Sequence, residues 1–424
     1  MERVDSATRK TQTLGWVPFF AFAILPHPAP MFVCADCEFK TIQAAVTAAP
    51  PGAQLTIRAG RYPESGIVIS RPLSIQGEGE AIVDGENRNK TLFLVQANQV
   101  SIRGLTLMNT GSSYTEELAG IRVAYSKSCM IEKNNFVNTT FGVYIEKSES
   151  CTIRENRFSG AALDDTSGGN GIHSWNGAEL RIENNEISGH RDGIYLEFTK
   201  SSKIIGNTVS HCLRYGLHFM SANNNEYTDN LFTENGAGVA VMYSRNVVMR
   251  RNRFMSNRGS AAFGLLLKEI HTSVIENNQF TRNTVGIFME SSNRSQFKHN
   301  EFVSNGWALR IMADCEDNRF EANDFASNTF DAATNSGFNP NHFDGNYWSH
   351  YDGYDLDRDG AGDRPYRPVS LSSVILEKIE SSYILIHSPL FSLLDDVERA
   401  LPDLTPAAFK DDHPRMQPIQ WKAP

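Results

Sequence analysis

The sequence predicts an all-β protein, a right-handed parallel β-helix, and three observations point to it. An Asn-x-apolar triplet recurs at Asn134/Phe136, Asn156/Phe158, Asn185/Ile187, Asn207/Val209, Asn230/Phe232, Asn252/Phe254, Asn278/Phe280, Asn300/Phe302, Asn323/Phe325 and Asn346/Trp348, in steps of 22 to 29 residues. A glycine stands 14 residues before each of these asparagines as far as Asn300, from Gly120 to Gly286. After each glycine the chain alternates, as in Gly193-Ile-Tyr-Leu-Glu and Gly286-Ile-Phe-Met-Glu. Period-2 alternation means strand, and a fixed period near 22 means a solenoid with one coil per repeat. Helical repeats need about 33 residues or more per unit and are excluded.

Each element follows in order. Residues 1–35 read as a secretory signal: Arg3, Arg9 and Lys10 form a basic start, residues 14–25 are an apolar stretch, and Val33-Cys34-Ala35 fits a small-residue cleavage site. A cut after Ala35 leaves Cys37, Cys129, Cys151, Cys212 and Cys315, an odd number without a CxxC spacing among them. Residues 39–49 form a short amphipathic helix ended by Pro50-Pro51-Gly52, with strands near 55–58, 66–69, 73–75 and 101–107. This N-terminal part caps the first coil, which otherwise offers bare strand edges.

The chain has 34 asparagines, all between Asn87 and Asn346. Stacked coils about 4.8 Å apart let each repeat's Asn bond its equivalent one coil away, so these residues read as structural. A second set, Asn138, Asn235, Asn257, Asn283, Asn305 and Asn328, reads the same way. The solenoid with its cap is expected over 36–350, an Asp/Gly-rich loop over 351–369, and a helical docking segment over 370–424. In that last segment Ser388-Pro389 starts a helix whose Leu390, Phe391, Leu393, Leu394 and Val397 are the expected partner-binding residues.

Forty Lys and Arg against 49 Asp and Glu give a formal charge of −9, which argues against a nucleic-acid binder. The second and fourth residues after each glycine point outward and stack in columns. His218, Met220 and Met242 stand out there, the two Met on adjacent coils, and thioether plus imidazole ligands favour Cu(I). His173, His211, Met255, His342 and His350 are further candidate ligands. Cys129 and Cys151 share a column within disulfide range, or stack as thiols. Asp355, Asp357, Asp359 and Asp363 follow the spacing of a calcium loop, with Tyr366 where the bidentate Glu would stand.

The alternative reading is a polysaccharide-binding or polysaccharide-modifying (lyase- or epimerase-like) protein, with Tyr144, Trp175, Tyr195 and Phe288 stacking sugars. Glu146, Glu197 and Glu290 never fall on neighbouring coils as paired acid–base carboxylates would, so no enzyme is expected.

The opening Thr41-Ile-Gln-Ala-Ala-Val, the Asn coils, Asp344-Gly-Asn-Tyr-Trp-Ser-His-Tyr-Asp352, Asp363-Arg-Pro-Tyr-Arg-Pro and the tail with Leu401-Pro-Asp-Leu-Thr-Pro and Asp411-Asp412-His-Pro-Arg-Met together resemble the NosD family. The resemblance implies a periplasmic, non-enzymatic maturation factor for the copper sites of nitrous-oxide reductase. Its implied partners are an ABC transporter (ATPase NosF, permease NosY), the copper chaperone NosL and the client reductase NosZ. The helical tail would then dock on the permease, and the solenoid would receive Cu(I) and pass it on.

Overall fold

The computed structural model describes residues 30–113, 115–162, 164, 168–259, 262–379, 388–401 and 404–419. The strands wind as a right-handed solenoid into three parallel sheets of 14, 12 and 13 strands. Each repeat contributes one strand to each sheet, and coils pair in register, as Phe136↔Phe158 and Leu217↔Val239 do. The inward residues form one continuous core. Phe254, Phe280, Phe302, Phe325 and Trp348, the apolar members of the triplet, stack with ring centroids 4.1 to 4.8 Å apart.

The recurrent asparagines form a buried ladder. Asn230 donates from its backbone N and its Nδ2 to Asn252 Oδ1, at 3.1 and 2.9 Å, and from Nδ2 to Ile204 O at 2.9 Å. Asn252 makes the same bonds to Asn278 Oδ1 and to Tyr227 O. The residue just before each ladder Asn lies in the left-handed region, among them Lys133 (φ 54°), Glu155 (54°), Asp229 (59°), Arg251 (51°) and Ala322 (52°). A non-glycine residue there costs roughly 1 to 2 kcal/mol, which the buried amide bonds offset. Asn235, Asn257, Asn283, Asn305 and Asn328 make a second ladder by the same bonds, with Asn257 and Asn283 Nδ2 donating to the next Asn Oδ1 at 3.0 and 3.1 Å.

The two ends are closed differently. Helix α1 (Ile42–Ala48) is N-capped by Thr41, whose hydroxyl accepts from Ala44 N, and buries Ile42, Ala45 and Val46 over the first coils. The leader expected over 1–35 lies outside the described residues up to residue 29. The cleavage point does not suit the fold: Met31–Val33 is a strand paired with Ala53–Ile57, and Cys34 is joined to Cys37. A cut after Ala35 would remove that strand and half of the disulfide. With Cys34 retained the count of cysteines is even, two joined to each other and four, Cys129, Cys151, Cys212 and Cys315, left as buried thiols. The Cys34–Cys37 link closes a ring of only four residues, worth about 2 kcal/mol in the chain-entropy model.

At the other end, the described residues of the tail hold two α-helices, α2 (Leu371–Lys378) and α3 (Pro389–Ala400). Both lie against the outer face of the 12-stranded sheet, where Leu376 and Phe391 pack with Val285, Trp307 and Ala333, and Glu377 pairs with Arg310 at 2.8 Å. Residues 404–419 then return to the last coil. Asp411 is fully buried and ends the ladder: its Oδ2 accepts from Asn346 N, Asn346 Nδ2 and Trp348 Nε1 at 3.0, 2.9 and 3.0 Å, and its Oδ1 from Gly345 N at 3.1 Å.

Asn252→Ala removes the acceptor of Asn230 N, one of the acceptors of Asn230 Nδ2, and the donor to Tyr227 O and Asn278 Oδ1, so it should destabilise by about 3 kcal/mol or more. Asn246→Ala breaks an exposed 3.0 Å amide pair with Asn224 and should cost under about 1 kcal/mol. Urea denaturation of the two variants checks the contrast. Ala322→Gly relieves one left-handed residue and should stabilise by about 0.5–1 kcal/mol in the same assay.

Candidate functional site

The outer face of the 12-stranded sheet carries the residues singled out above. Its strands Asp192–Glu197, Tyr215–Met220 and Ala237–Met242 each place a glycine near their start because neighbouring coils approach too closely for a side chain. A Cβ on Gly216 would stand 2.7 Å from Gly238 O. Ile194, Leu196, Leu217, Phe219, Val239 and Val241 are fully buried inward, which turns Tyr195, Glu197, His218, Met220 and Met242 to the outer side.

The two outer columns differ in character. The second-position column is a stack of rings: Tyr144 to His173 at 4.8 Å, His173 to Tyr195 at 4.8 Å, and Tyr195 to His218 at 4.5 Å with planes 7° apart. It rests on a buried polar row. Asn170 Nδ2 lies 3.2 Å from His173 Nδ1, and Asp192 Oδ2 accepts from Arg214 Nη2 at 3.0 Å and lies 3.8 Å from His218 Nδ1. Burial, then the charge of Arg191, pushes His173 down to about 3, and burial pushes Tyr144 and Tyr195 up to about 12. Both histidines are enclosed, so this column is a closed network rather than an open sugar groove.

The fourth-position column is half-buried. Met220 and Met242 are register partners, flanked in the column by Glu197 and Lys268, with the exposed rings of Phe198 and Tyr243 at the strand ends. Two soft sulfur donors therefore stand side by side. His218 lies on the same strand but is 3 % exposed, with Nδ1 3.4 Å from Arg214 Nη2 and Nε2 enclosed without a partner. The structure thus joins the two thioethers and sets the imidazole into the neighbouring network. Among the other candidates His211 pairs with Glu234 at 2.9 Å, His350 bonds Asp331 at 3.0 Å, His342 is exposed, and Met255 lies on another sheet. Of the carboxylates weighed for acid–base work, Glu146 is paired with Arg122 at 2.7 Å and Glu290 with Lys268 at 3.2 Å.

Three further features bear on metal and partner binding. Cys129 and Cys151 remain thiols on adjacent coils, and Cys151 is pushed up, first by its hydrogen bond to Cys129 and then by burial. In the acidic loop, ligand oxygens of Asp355, Asp357 and Asp359 lie within 4.8 Å of one another, whereas Asp363 is turned to accept from Leu356 N at 2.7 Å. The charge of Asp359 holds the Asp357 carboxyl above its ordinary value, a repulsion that a cation would relieve. On α3 successive residues lie about 100° apart, which puts Leu390, Leu393, Leu394 and Val397 on one arc of about 100° and Phe391 beside it, toward the sheet. Phe391 is 3 % exposed and belongs to the core, Leu394 and Val397 are half-buried, and Leu390, Leu393 and Leu401 are 53, 59 and 58 % exposed. The sequence reading also passed over a cavity of about 700 Å³ between the last coil and the tail, where Asp331 Oδ2 takes His350 Nδ1 and Tyr366 OH. No repeat signals it, since its walls come from five separate stretches between Thr329 and Lys410.

Comparison with known proteins now adds to this geometry. The family described as "Periplasmic copper-binding protein (NosD)" matches residues 161–353, and a "Right handed beta helix region" matches residues 64–180. Over 382 residues the chain is 29 % identical to a Pseudomonas aeruginosa protein named "Probable ABC transporter binding protein NosD", covering 85 % of this chain and 88 % of that one. Both matches point to the NosD family. A Stutzerimonas stutzeri protein of the same name is 28 % identical over 380 residues, covering 85 % of this chain and 86 % of the relative. Among solved structures, the A-module of Azotobacter vinelandii mannuronan C-5 epimerase AlgE6 has a TM-score of 0.58 at 15 % identity, covering 71 % of this chain and 92 % of that one. That likeness concerns the fold alone.

The buried histidines make an acid-sensitive structure. His173 and His190, held at about 3 and about 4 by burial, stay neutral in the fold while an unfolded imidazole protonates near 6.5. A folded value below the unfolded one means the unfolded chain binds more protons between these limits, so stability falls as pH drops from about 6.5 toward 4. Urea midpoints between pH 7 and pH 4.5 should decline less steeply in His173→Gln than in the native chain.

Proposed function

We propose that this chain is a NosD-family protein, an exported, periplasmic accessory factor that assists copper insertion into nitrous-oxide reductase. It works beside an ABC transporter of NosF and NosY type and a copper chaperone of NosL type, without catalysing a reaction itself. The observation that carries this reading is the leucine row of α3, which a family of relatives named as ABC transporter binding proteins gives a use. Leu390, Leu393 and Leu401 turn away from the solenoid, while Phe391 packs the same helix onto it and Glu398 ties it to the start of α2 by accepting from Leu371 N. A helix seated on the sheet with an apolar edge left exposed among the described residues suits a membrane-transporter subunit, and no helix among those residues is long and apolar enough to cross a membrane itself.

The cargo is Cu(I), taken transiently. Met220 and Met242 supply soft donors on an accessible face, and His218 is the nearest imidazole that could complete the set if its network opened. In the acidic loop, Asp355, Asp357 and Asp359 hold a structural Ca²⁺.

Leu390→Asp/Leu393→Asp/Leu401→Asp should leave the far-ultraviolet circular dichroism unchanged and reduce co-purification with the permease at least tenfold. Undiminished co-purification would remove the docking role. Anaerobic Cu(I) titration against a competing chelator should show one tight site fewer in His218→Ala/Met220→Leu/Met242→Leu than in the native protein. Equal binding would move the cargo off this face.

A further inference from the structure

Of the six cysteines, four are buried in the solenoid wall and two are not. Cys34 and Cys37 are half-buried in a turn whose intervening residues, Ala35 and Asp36, are exposed. They are spaced CxxC and joined to each other. A cross-link stabilises a fold mainly by shortening the free loop of the unfolded chain, and a four-residue ring does least of all.

The turn, moreover, is held without it. Val33 pairs with Ile57 and bridges to Phe39, Arg58 N donates to Val33 O at 3.0 Å, and Cys34 N donates to Phe39 O at 3.1 Å. Opening the sulfur–sulfur bond would leave all of these contacts in place. A cross-link that contributes little to stability, sits within reach of solvent and can open without unfolding its surroundings has the properties of a reactive pair rather than a staple.

We propose that Cys34 and Cys37 are a redox-active pair that, once reduced, holds one Cu(I) ion between two thiolates. The reductant is an incoming dithiol. Its thiolate attacks one sulfur of the pair to give a mixed disulfide, and its second thiol displaces the other. The donor leaves as a disulfide, and Cys34 and Cys37 gain two electrons and two protons. Cu(I) then binds as the two thiols release their protons. Thiolate pairs select soft d¹⁰ cations, and a CxxC turn brings both sulfurs to one ion without rearranging the chain. Only the identity of the ion rests on the copper reading above. The redox chemistry stands on the turn alone.

The test uses the whole exported protein, beginning with the mass of its mature N-terminus, which should retain Cys34. After anaerobic reduction with dithiothreitol and its removal, Ellman's reagent should titrate two thiols in the folded protein and all six only in denaturant. Reduced native protein should then bind one Cu(I) against bicinchoninate that Cys34→Ser/Cys37→Ser binds at least tenfold more weakly. Met220→Leu/Met242→Leu should keep that ion, so failure of the outer-face site and failure of this one are distinguishable. The double serine variant should also unfold within a few degrees of the native protein.

A mature chain beginning beyond Cys34, equal Cu(I) binding by native and serine variants, or thiols reached only in denaturant would overturn the proposal. So would a serine variant that no longer folds, since the bond would then be a staple.

Discussion

The whole solenoid depends on one corner. There a residue held at positive φ turns the chain, and the next residue, an asparagine, enters a stack in which each amide serves the coil on either side. Neither part is favourable alone. A left-handed Lys, Glu, Arg or Ala is strained, and a buried carboxamide without partners costs about 1 to 3 kcal/mol. Together, repeated on each coil from Asn134 to Asn346, they fix the spacing and register of the sheets. Register in turn decides which side chains meet on the outer face, so Met220 meets Met242 because Asn230 meets Asn252.

Much of this was legible from the order of residues. The ladder asparagines, the glycines before each strand and the inward–outward alternation repeat often enough for period and position to identify them. The left-handed corner residues were not legible, because that position holds Lys, Glu, Asn, Gly, Asp, Arg, His and Ala in different coils and only its geometry is constant. Nor was Asp411. It acts once, from 65 residues beyond the Asn346 it serves, and no periodicity points to a single closing residue.

The candidate site was legible in its columns and not in its cover. Alternation assigns His173 and His218 to the outer side correctly, but it carries no information on the polar row and neighbouring rings that enclose them. The same limit applies to α3, where composition shows an apolar helix and only packing decides that Phe391 faces in while Leu390 and Leu393 face out. Cys34–Cys37 was hidden for a different reason. A cleavage site drawn from small-residue preference fell between the two cysteines and divided a motif that the fold keeps whole.

Asp411 also gives the ladder an end. A stack of asparagines has no intrinsic last member: its final backbone N–H and amide N–H groups point outward, ready for the next coil, whether that coil belongs to the same chain or to another. A carboxylate supplies acceptors to those donors and has no N–H of its own to pass on. The row therefore stops. Because the stopper stands 65 residues beyond Asn346, the open end of the ladder keeps its donors unsatisfied until that distant segment folds back over it.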